Sequence, residues 1–140
     1  MRPGAVVDEL EATIRSHDPT AVVGPFGLAN PDHACTHDAL LLVRERYAEP
    51  SWLCYEDFGY KHIPGLLAWR VSKLFAAGIW PTPMVPPTLD EDRKRAALAH
   101  YTSQLRALEA DWKLTDKLDA PEQYWRLAPP PTGWEGLADA

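Results

Sequence analysis

Hydrophobic and polar positions change their spacing in a regular way along the first part of the chain. Apolar residues recur at helical spacing in residues 6–15 and again from residue 31 to about residue 47, which predicts two helices. Short β-branched or aromatic runs at residues 20–27 and 51–55 end in turn-forming residues and are typical of buried strands. The order helix, strand, helix, strand predicts an α/β fold with a largely parallel sheet.

The most apolar stretch covers residues 63–80 and raises the question of a membrane span. Arg70 and Lys73 interrupt it, and it is shorter than the roughly 20 apolar residues that cross a bilayer. Its apolar side chains fall on one helical stripe, which favours an amphipathic helix that faces the core. A helix at a membrane surface or in a lid is the alternative.

The remaining segments are less regular. Residues 81–87 are too rich in proline for a central strand, and polar cap residues introduce a long helix expected at about residues 89–112. Residues 121–127 are expected to dock back on the body as a short segment. We therefore expect one partial domain over residues 1–127 and a flexible tail over residues 128–140.

Composition narrows the class of protein. Of the 140 residues, 46% are hydrophobic and 24% are charged, which is ordinary for a globular chain. A net charge of −6 gives no general attraction to phosphate backbones, so no nucleic-acid partner is expected. The sequence shows no signal peptide, and we expect Cys35 and Cys54 to be reduced thiols of a cytoplasmic protein rather than a disulfide.

Polar side chains gather directly after each predicted strand. Those that follow the first strand are Asn30, Asp32 and His33. Those at the end of the second strand and after it are Tyr55, Glu56, Asp57 and Tyr60. Because ligands of open α/β sheets bind outside the carboxyl ends of the strands, the two groups are expected to share one rim. A solvated acidic rim without function is the alternative.

The stretch "NPDH" allows two interpretations. Asn30 suits a helix N-cap, Pro31 the first helical position, and Asp32 the positive end of the helix dipole. Alternatively, Asp32, His33 and His37 are three potential metal donors. His33 and His37 have the spacing of the histidine pair in zinc proteases, but no glutamate follows His33, so His37 is expected to be a polar surface residue or a support behind the site.

Four motifs, "FGLANPDH", "YEDFGY", "YTSQL" and "EQYWRL", stand in the order in which similar motifs occur in PIG-L/LmbE-like zinc-dependent de-N-acetylases. The chain resembles the second half of that domain. The resemblance implies a Rossmann-like three-layer fold and zinc-dependent release of acetate from an N-acetylated sugar or a related small molecule.

The resemblance also implies roles for individual residues. His33 matches a metal ligand, and Asp32 matches its orienting neighbour. Asn30 stands where the family usually has a histidine that assists the tetrahedral intermediate, and an amide could donate a hydrogen bond to the oxyanion instead. Residues expected to shape the substrate pocket are Tyr55, Glu56, Asp57 and Tyr60.

One family motif is absent from the chain. The "HPDD" type of motif, which supplies two zinc ligands and the general base in that family, does not occur in the 140 residues. A catalytic zinc site needs three protein ligands, and this chain matches one. The chain is thus expected to be a truncated product, a half that pairs with a complementing N-terminal half or with its own copies, or a non-catalytic binding or assembly module.

Overall fold

A computed structural model describes residues 3–85, 90–103, 105–106 and 120–134. The first four elements are α1 (Pro3–His17), β1 (Ala21–Pro25), α2 (Pro31–Arg44) and β2 (Ser51–Tyr55). A short 3-10 helix (Tyr60–His62) follows, and the remaining elements are α3 (Leu66–Ala76), β3 (Trp80–Met84), α4 (Glu91–Ala99) and β4 (Tyr124–Ala128). The α/β class predicted from the hydrophobic pattern is confirmed.

The strands form one mixed sheet in the order β1-β2-β4-β3. β1 and β2 are parallel, with Ala21 opposite Ser51 and Pro25 opposite Tyr55. β4 runs antiparallel to both β2 and β3. The parallel pair predicted from the sequence therefore forms, and it places the carboxyl ends of β1 and β2 side by side.

The second half departs from the sequence pattern at β3 and β4. The segment expected only to dock on the body becomes β4, which lies between β2 and β3. The proline-rich segment is a strand at the sheet edge, where Pro81 and Pro83 need no ladder hydrogen bond on the outer side. Of the expected tail, Ala128 belongs to β4 and the Trp134 ring packs edge-to-face on Trp80, with centroids 5.4 Å apart. Residues 135–140 lie outside the described residues.

The helix α3 is shorter than the apolar stretch at residues 63–80. α3 begins at Leu66 after Gly65, and it ends at Ala76 because the following residues turn into β3. α4 ends at Ala99, and residues 89, 104 and 107–112 of the expected long helix lie outside the described residues. Among the helices of the described ranges, none has the length and apolar character needed to cross a bilayer.

The core lies between the helices and one face of the sheet. α2 approaches β1 so closely that a Cβ on Gly24 would lie 2.4 Å from Leu40 Cδ1 and would force the leucine side chain to shift. Buried apolar residues from both layers complete the core: Val7, Ile14, Phe26, Leu28, Ala39, Leu40, Val43, Trp52, Cys54, Leu74, Ile79 and Leu127. This packing fixes the start of α2 directly above the ends of β1 and β2.

The opposite face of the sheet is open at β1. Because Gly24 faces α2, its strand neighbour Val23 points to the other face, where it is 50% exposed. Within the described part of the chain, β1 pairs with β2 alone and has a free outer edge. An open edge and an open face at the same strand are features that another strand and its covering helix could complete.

Candidate functional site

The first loop of the site leaves β1 through a tight turn. Phe26 N–H donates to the Tyr55 carbonyl over 2.8 Å, which extends the parallel pairing by one residue. Gly27 then adopts φ +71°, a left-handed conformation that favours glycine. The turn sends the chain back over the sheet and into α2.

Asn30 begins α2 as its N-cap. Its side-chain Oδ1 accepts hydrogen bonds from Asp32 N–H over 2.9 Å and from His33 N–H over 3.3 Å, and Pro31 occupies the first turn. The N-cap interpretation of the "NPDH" stretch is confirmed. The same cap aims His33, the last residue of the motif, at the second loop.

His33 and Asp57 form the central contact of the site. His33 Nδ1 lies 2.9 Å from Asp57 Oδ1, and Asp57 Oδ2 accepts the Leu28 N–H over 2.5 Å. Asp57 is fully buried, while the His33 side chain is 38% exposed. A carboxylate only accepts hydrogen bonds, so this contact places the imidazole proton on Nδ1 and leaves Nε2 as the basic nitrogen.

The geometry sets Asp57 apart from the substrate contacts expected of it. Both of its oxygens are engaged inside the protein, which leaves neither open to a small molecule. The structure instead places Asp57 behind His33. The predicted neighbourhood of the two strand exits is confirmed by this pair, whereas the catalytic or binding roles of the residues stay predictions.

The other residues of the second loop differ in exposure. Glu56 is nearly buried, with Oε1 accepting from Trp125 Nε1 over 2.9 Å and Oε2 lying 3.9 Å from Lys61 Nζ. Tyr55 and Tyr60 are half-buried. Burial, and then the nearby Asp57 charge, raises the pKa of Tyr55. The two tyrosines therefore keep part of their surface exposed, while Glu56 is held by its neighbours.

Asp32 lies apart from this network. It is exposed in the first turn of α2, and its carboxylate makes no hydrogen bond to another residue of the described ranges. Of the predicted residues, the structure thus brings together His33 and Asp57. Asn30 holds the backbone of His33, and the Asp32 side chain is exposed to solvent.

His37 is buried, so the expectation of a surface position is wrong. Its side chain is fully buried, with Nδ1 3.1 Å from the Pro25 carbonyl and 3.9 Å from Cys54 Sγ. Burial lowers the pKa of His37. It points into the core while His33 turns to Asp57, so the two histidines do not form a joint ligand pair. The helical spacing of His37 to Leu40 and Val43 places it on the inner stripe of α2. This spacing is the signal that identifies His37 as a core residue.

Two further buried polar groups stand beneath the loop. Arg70 of α3, which the sequence pattern marks only as a charged interruption, is 8% exposed and its Nη2 donates to the Gly27 carbonyl. Cys54 of β2 is fully buried, and burial raises its pKa to about 12. The Cys54 thiol is therefore neutral at physiological pH and unsuited to act as a nucleophile. Cys35 and Cys54 are both free.

The family resemblance implies a zinc ion. His33 is suited to bind one, but the described residues do not form a complete zinc site. Histidine ligands usually donate their second ring N–H to a carboxylate, as His33 does to Asp57. Within residues 3–85, 90–103, 105–106 and 120–134, no three histidine, cysteine or acidic side chains are grouped to hold a metal ion. Two further ligands would have to come from outside the described residues.

Cavities lie at both ends of the strands. A shallow one of about 290 Å³ adjoins the second loop, and its lining includes Glu56, Lys61 and Gln123. Two larger ones, of about 540 and 550 Å³, adjoin Pro50 before the amino end of β2. The larger cavities are at the end of the sheet opposite to His33 and Asp57, so size alone does not identify the site.

Comparisons with known proteins agree with the fold. No family model matches the chain, and no curated protein matches it. A solved structure that matches is that of a triple mutant of a deacetylase involved in the teicoplanin biosynthetic pathway, with 22% identity and a TM-score of 0.66. The match covers 94% of this chain and 59% of that chain. The chain therefore has the α/β fold of part of that deacetylase.

Proposed function

We propose that this chain forms part of a zinc-dependent N-deacetylase that hydrolyses the acetamide of an N-acetylated sugar or a related small molecule. The observation that carries the proposal is the His33–Asp57 pair at the adjoining carboxyl ends of two parallel strands. The likeness of the fold to that of a deacetylase supports it. The position of His33 in an "NPDH" motif supports it further.

His33 is the residue of this chain that would bind zinc, through Nε2. Asp57 holds the ring by its Nδ1 proton, which fixes the orientation of the ligand and strengthens the basicity of Nε2. Zinc, when bound, lowers the pKa of a water ligand to about 7 and polarises the acyl oxygen. The remaining ligands and the general base would come from a complementing unit.

Residues around His33 would handle the substrate. Asn30 uses its amide oxygen as the helix cap, so its amide nitrogen remains a possible donor to an oxyanion. Asp32 lies on the exposed side of the same turn and is proposed to orient the site when it is complete. Tyr55 and Tyr60 would contact the substrate with their rings and hydroxyl groups.

The complementing unit would attach at β1. That strand has a free outer edge and the half-exposed Val23 on the open face among the described residues. A strand added parallel to β1 would bring the loop at its own carboxyl end next to His33. The chain spans little more than half of the similar deacetylase, which supports such a unit.

The test is acetate release from N-acetylglucosamine. The full chain would be assayed with zinc alone, and after fusion through a flexible linker to a segment carrying an "HPDD" strand and helix from a family deacetylase. We expect activity only in the fusion, with loss in His33→Ala and no loss in His17→Ala, which changes an exposed histidine of α1. A folded fusion that binds zinc and N-acetylglucosamine without releasing acetate would favour the non-catalytic binding module.

A further inference from the structure

Arg70 occupies an unusual position for a charged side chain. It lies on α3, is 8% exposed, and its Nη2 donates to the carbonyl of Gly27. Its contact with a carboxylate is weak, because Nη1 is 3.8 Å from an oxygen of Asp38, whose side chain is 63% exposed. Arg70 Nε is buried and has no hydrogen-bond partner among the described residues. A buried cation that relies on a backbone carbonyl needs a compensating charge nearby.

One peptide group links Arg70 to the buried carboxylate of Asp57. The Gly27 carbonyl that accepts from Arg70 and the Leu28 N–H that donates to Asp57 belong to the same peptide bond. The peptide thus lies between a buried guanidinium on its oxygen side and a buried carboxylate on its nitrogen side. A cation at the carbonyl polarises the peptide and makes its N–H a stronger donor, because hydrogen bonds in a chain reinforce one another.

The chain of contacts continues to the exposed ring. Asp57 uses its second oxygen for His33 Nδ1, so Arg70 is linked to the imidazole through two hydrogen-bonded groups. Besides the Asp38 carboxylate, 3.8 Å from Arg70 Nη1, two further titratable groups face this region. Burial lowers the pKa of His37 and raises that of Cys54, which keeps both side chains neutral at physiological pH.

Gly27 makes the contact possible. At φ +71°, a Cβ on this residue would lie 3.1 Å from Arg70 Nη2 and 2.7 Å from His37 Cβ. A side chain at this position would force both His37 and the guanidinium to shift from their places at the turn. The close approach therefore depends on both the turn and the arginine.

We propose that Arg70 is a positioning residue for His33, acting through the Gly27–Leu28 peptide and Asp57 to keep the imidazole proton on Nδ1 and Nε2 free. Its value for catalysis rests on the proposed function. The hydrogen-bonded path from Arg70 to His33 needs neither zinc nor substrate. An effect of Arg70 on His33 and a deacetylase activity can therefore be tested, and can fail, separately.

The test is nuclear magnetic resonance on the full chain without metal or substrate. Arg70→Gln keeps a hydrogen-bond donor but removes the charge, Arg70→Lys keeps the charge, and Lys73→Gln removes an exposed charge from the same helix as the control. In Arg70→Gln we expect the Leu28 amide proton to move upfield and to exchange roughly tenfold faster than in the parent chain. We also expect the His33 ring nitrogen shifts to indicate a mixture of tautomers.

Arg70→Lys should restore most of the Leu28 and His33 signals, and Lys73→Gln should leave them unchanged. A folded Arg70→Gln variant with the parent Leu28 and His33 signals would overturn the proposal. So would equal changes in the two Arg70 variants, because those would show a packing effect and not an effect of charge. If Arg70→Gln does not fold, the same spectra of the parent chain provide the test. A Leu28 amide proton without a downfield shift, or a His33 ring proton on Nε2, would overturn the proposal.

Discussion

Asp57 Oδ1 lies 2.9 Å from His33 Nδ1, although 24 positions separate the two residues in the chain. The distance is a consequence of the sheet, because the parallel register sets Pro25 opposite Tyr55 and both strands end at the same rim. The N-cap at Asn30 then turns His33 toward Asp57. The site is thus produced by two strand exits and one helix start.

Replacing Asp57 by asparagine should destabilise the fold. The substitution leaves the donors on Leu28 and His33 with one suitable acceptor between them, inside a buried site. We expect a loss of about 1–3 kcal/mol in the free energy of unfolding, measured by urea denaturation, because one buried donor loses its acceptor. Asp38→Asn, which changes a mostly exposed carboxylate 3.8 Å from Arg70, should cost less than about 1 kcal/mol. Equal losses in the two variants would contradict the central position of Asp57.

Two glycines with similar backbone conformation offer a matched pair. Gly27 and Gly65 have φ +71° and +80°, but an added Cβ meets His37 and Arg70 only at Gly27 and open space at Gly65. Both alanine variants should lose about 1 kcal/mol or more from backbone strain, and Gly27→Ala should lose a further 1–3 kcal/mol from the clash. Thermal or urea unfolding measures the difference. If Gly65→Ala is as destabilising as Gly27→Ala, the close approach of His37 and Arg70 to Gly27 is ruled out.

The helix cap at Asn30 is a separate determinant of stability. Asn30→Ala removes the acceptor for two backbone N–H groups and should cost about 1 kcal/mol. Asn30→Asp keeps an equally good cap and should remain within a few tenths of a kcal/mol of the parent chain. If the Asn30→Ala variant is as stable as the parent chain in urea denaturation, the cap contributes nothing measurable to the free energy of unfolding.

The sequence predicts the parts of this site that depend on local pattern. The two strands, the N-cap and the shared rim follow from hydrophobic spacing and from the residue types at the start of α2. β4 is harder to predict, because its place between β2 and β3 depends on pairing with residues about forty to seventy positions away in the chain.

Arg70 and His37 show why some contacts of the site escape sequence analysis, although the spacing of His37 indicates its buried position. Both are polar residues that the fold buries, and their partners are backbone carbonyls of Gly27 and Pro25. A carbonyl is present at every residue, so no residue type in the sequence marks these contacts. The tertiary approach of α2 and α3 to one turn creates them.

Burial of His37 should make stability depend on pH. Its pKa is lowered in the folded chain, so the unfolded chain binds the proton more readily once the pH falls toward the ordinary value of 6.5. The contribution of neutral His37 to the free energy of unfolding is therefore fully present above about pH 6.5. It is lost as the pH falls below that value, by at most about 1.4 kcal/mol per pH unit.

The measurement is urea denaturation at pH 7.5 and pH 5.5. The parent chain should lose more stability between the two than His37→Gln, which keeps a donor for the Pro25 carbonyl. His17→Gln, at an exposed position in α1, should follow the parent chain. An unaltered pH dependence in His37→Gln would contradict this origin.

The central claim, that His33 backed by Asp57 is one ligand of a zinc site which this chain does not complete, is tested most directly by equilibrium zinc titration against a chelator. The account predicts weak binding to the full chain alone and tight binding of one zinc ion to the fusion with an "HPDD" segment. Binding to the fusion should be lost in His33→Ala, weakened about 10- to 100-fold in Asp57→Asn and unchanged in His17→Ala. Tight binding of one zinc ion by the unfused chain, or tight binding by the fusion that survives His33→Ala, would contradict the account.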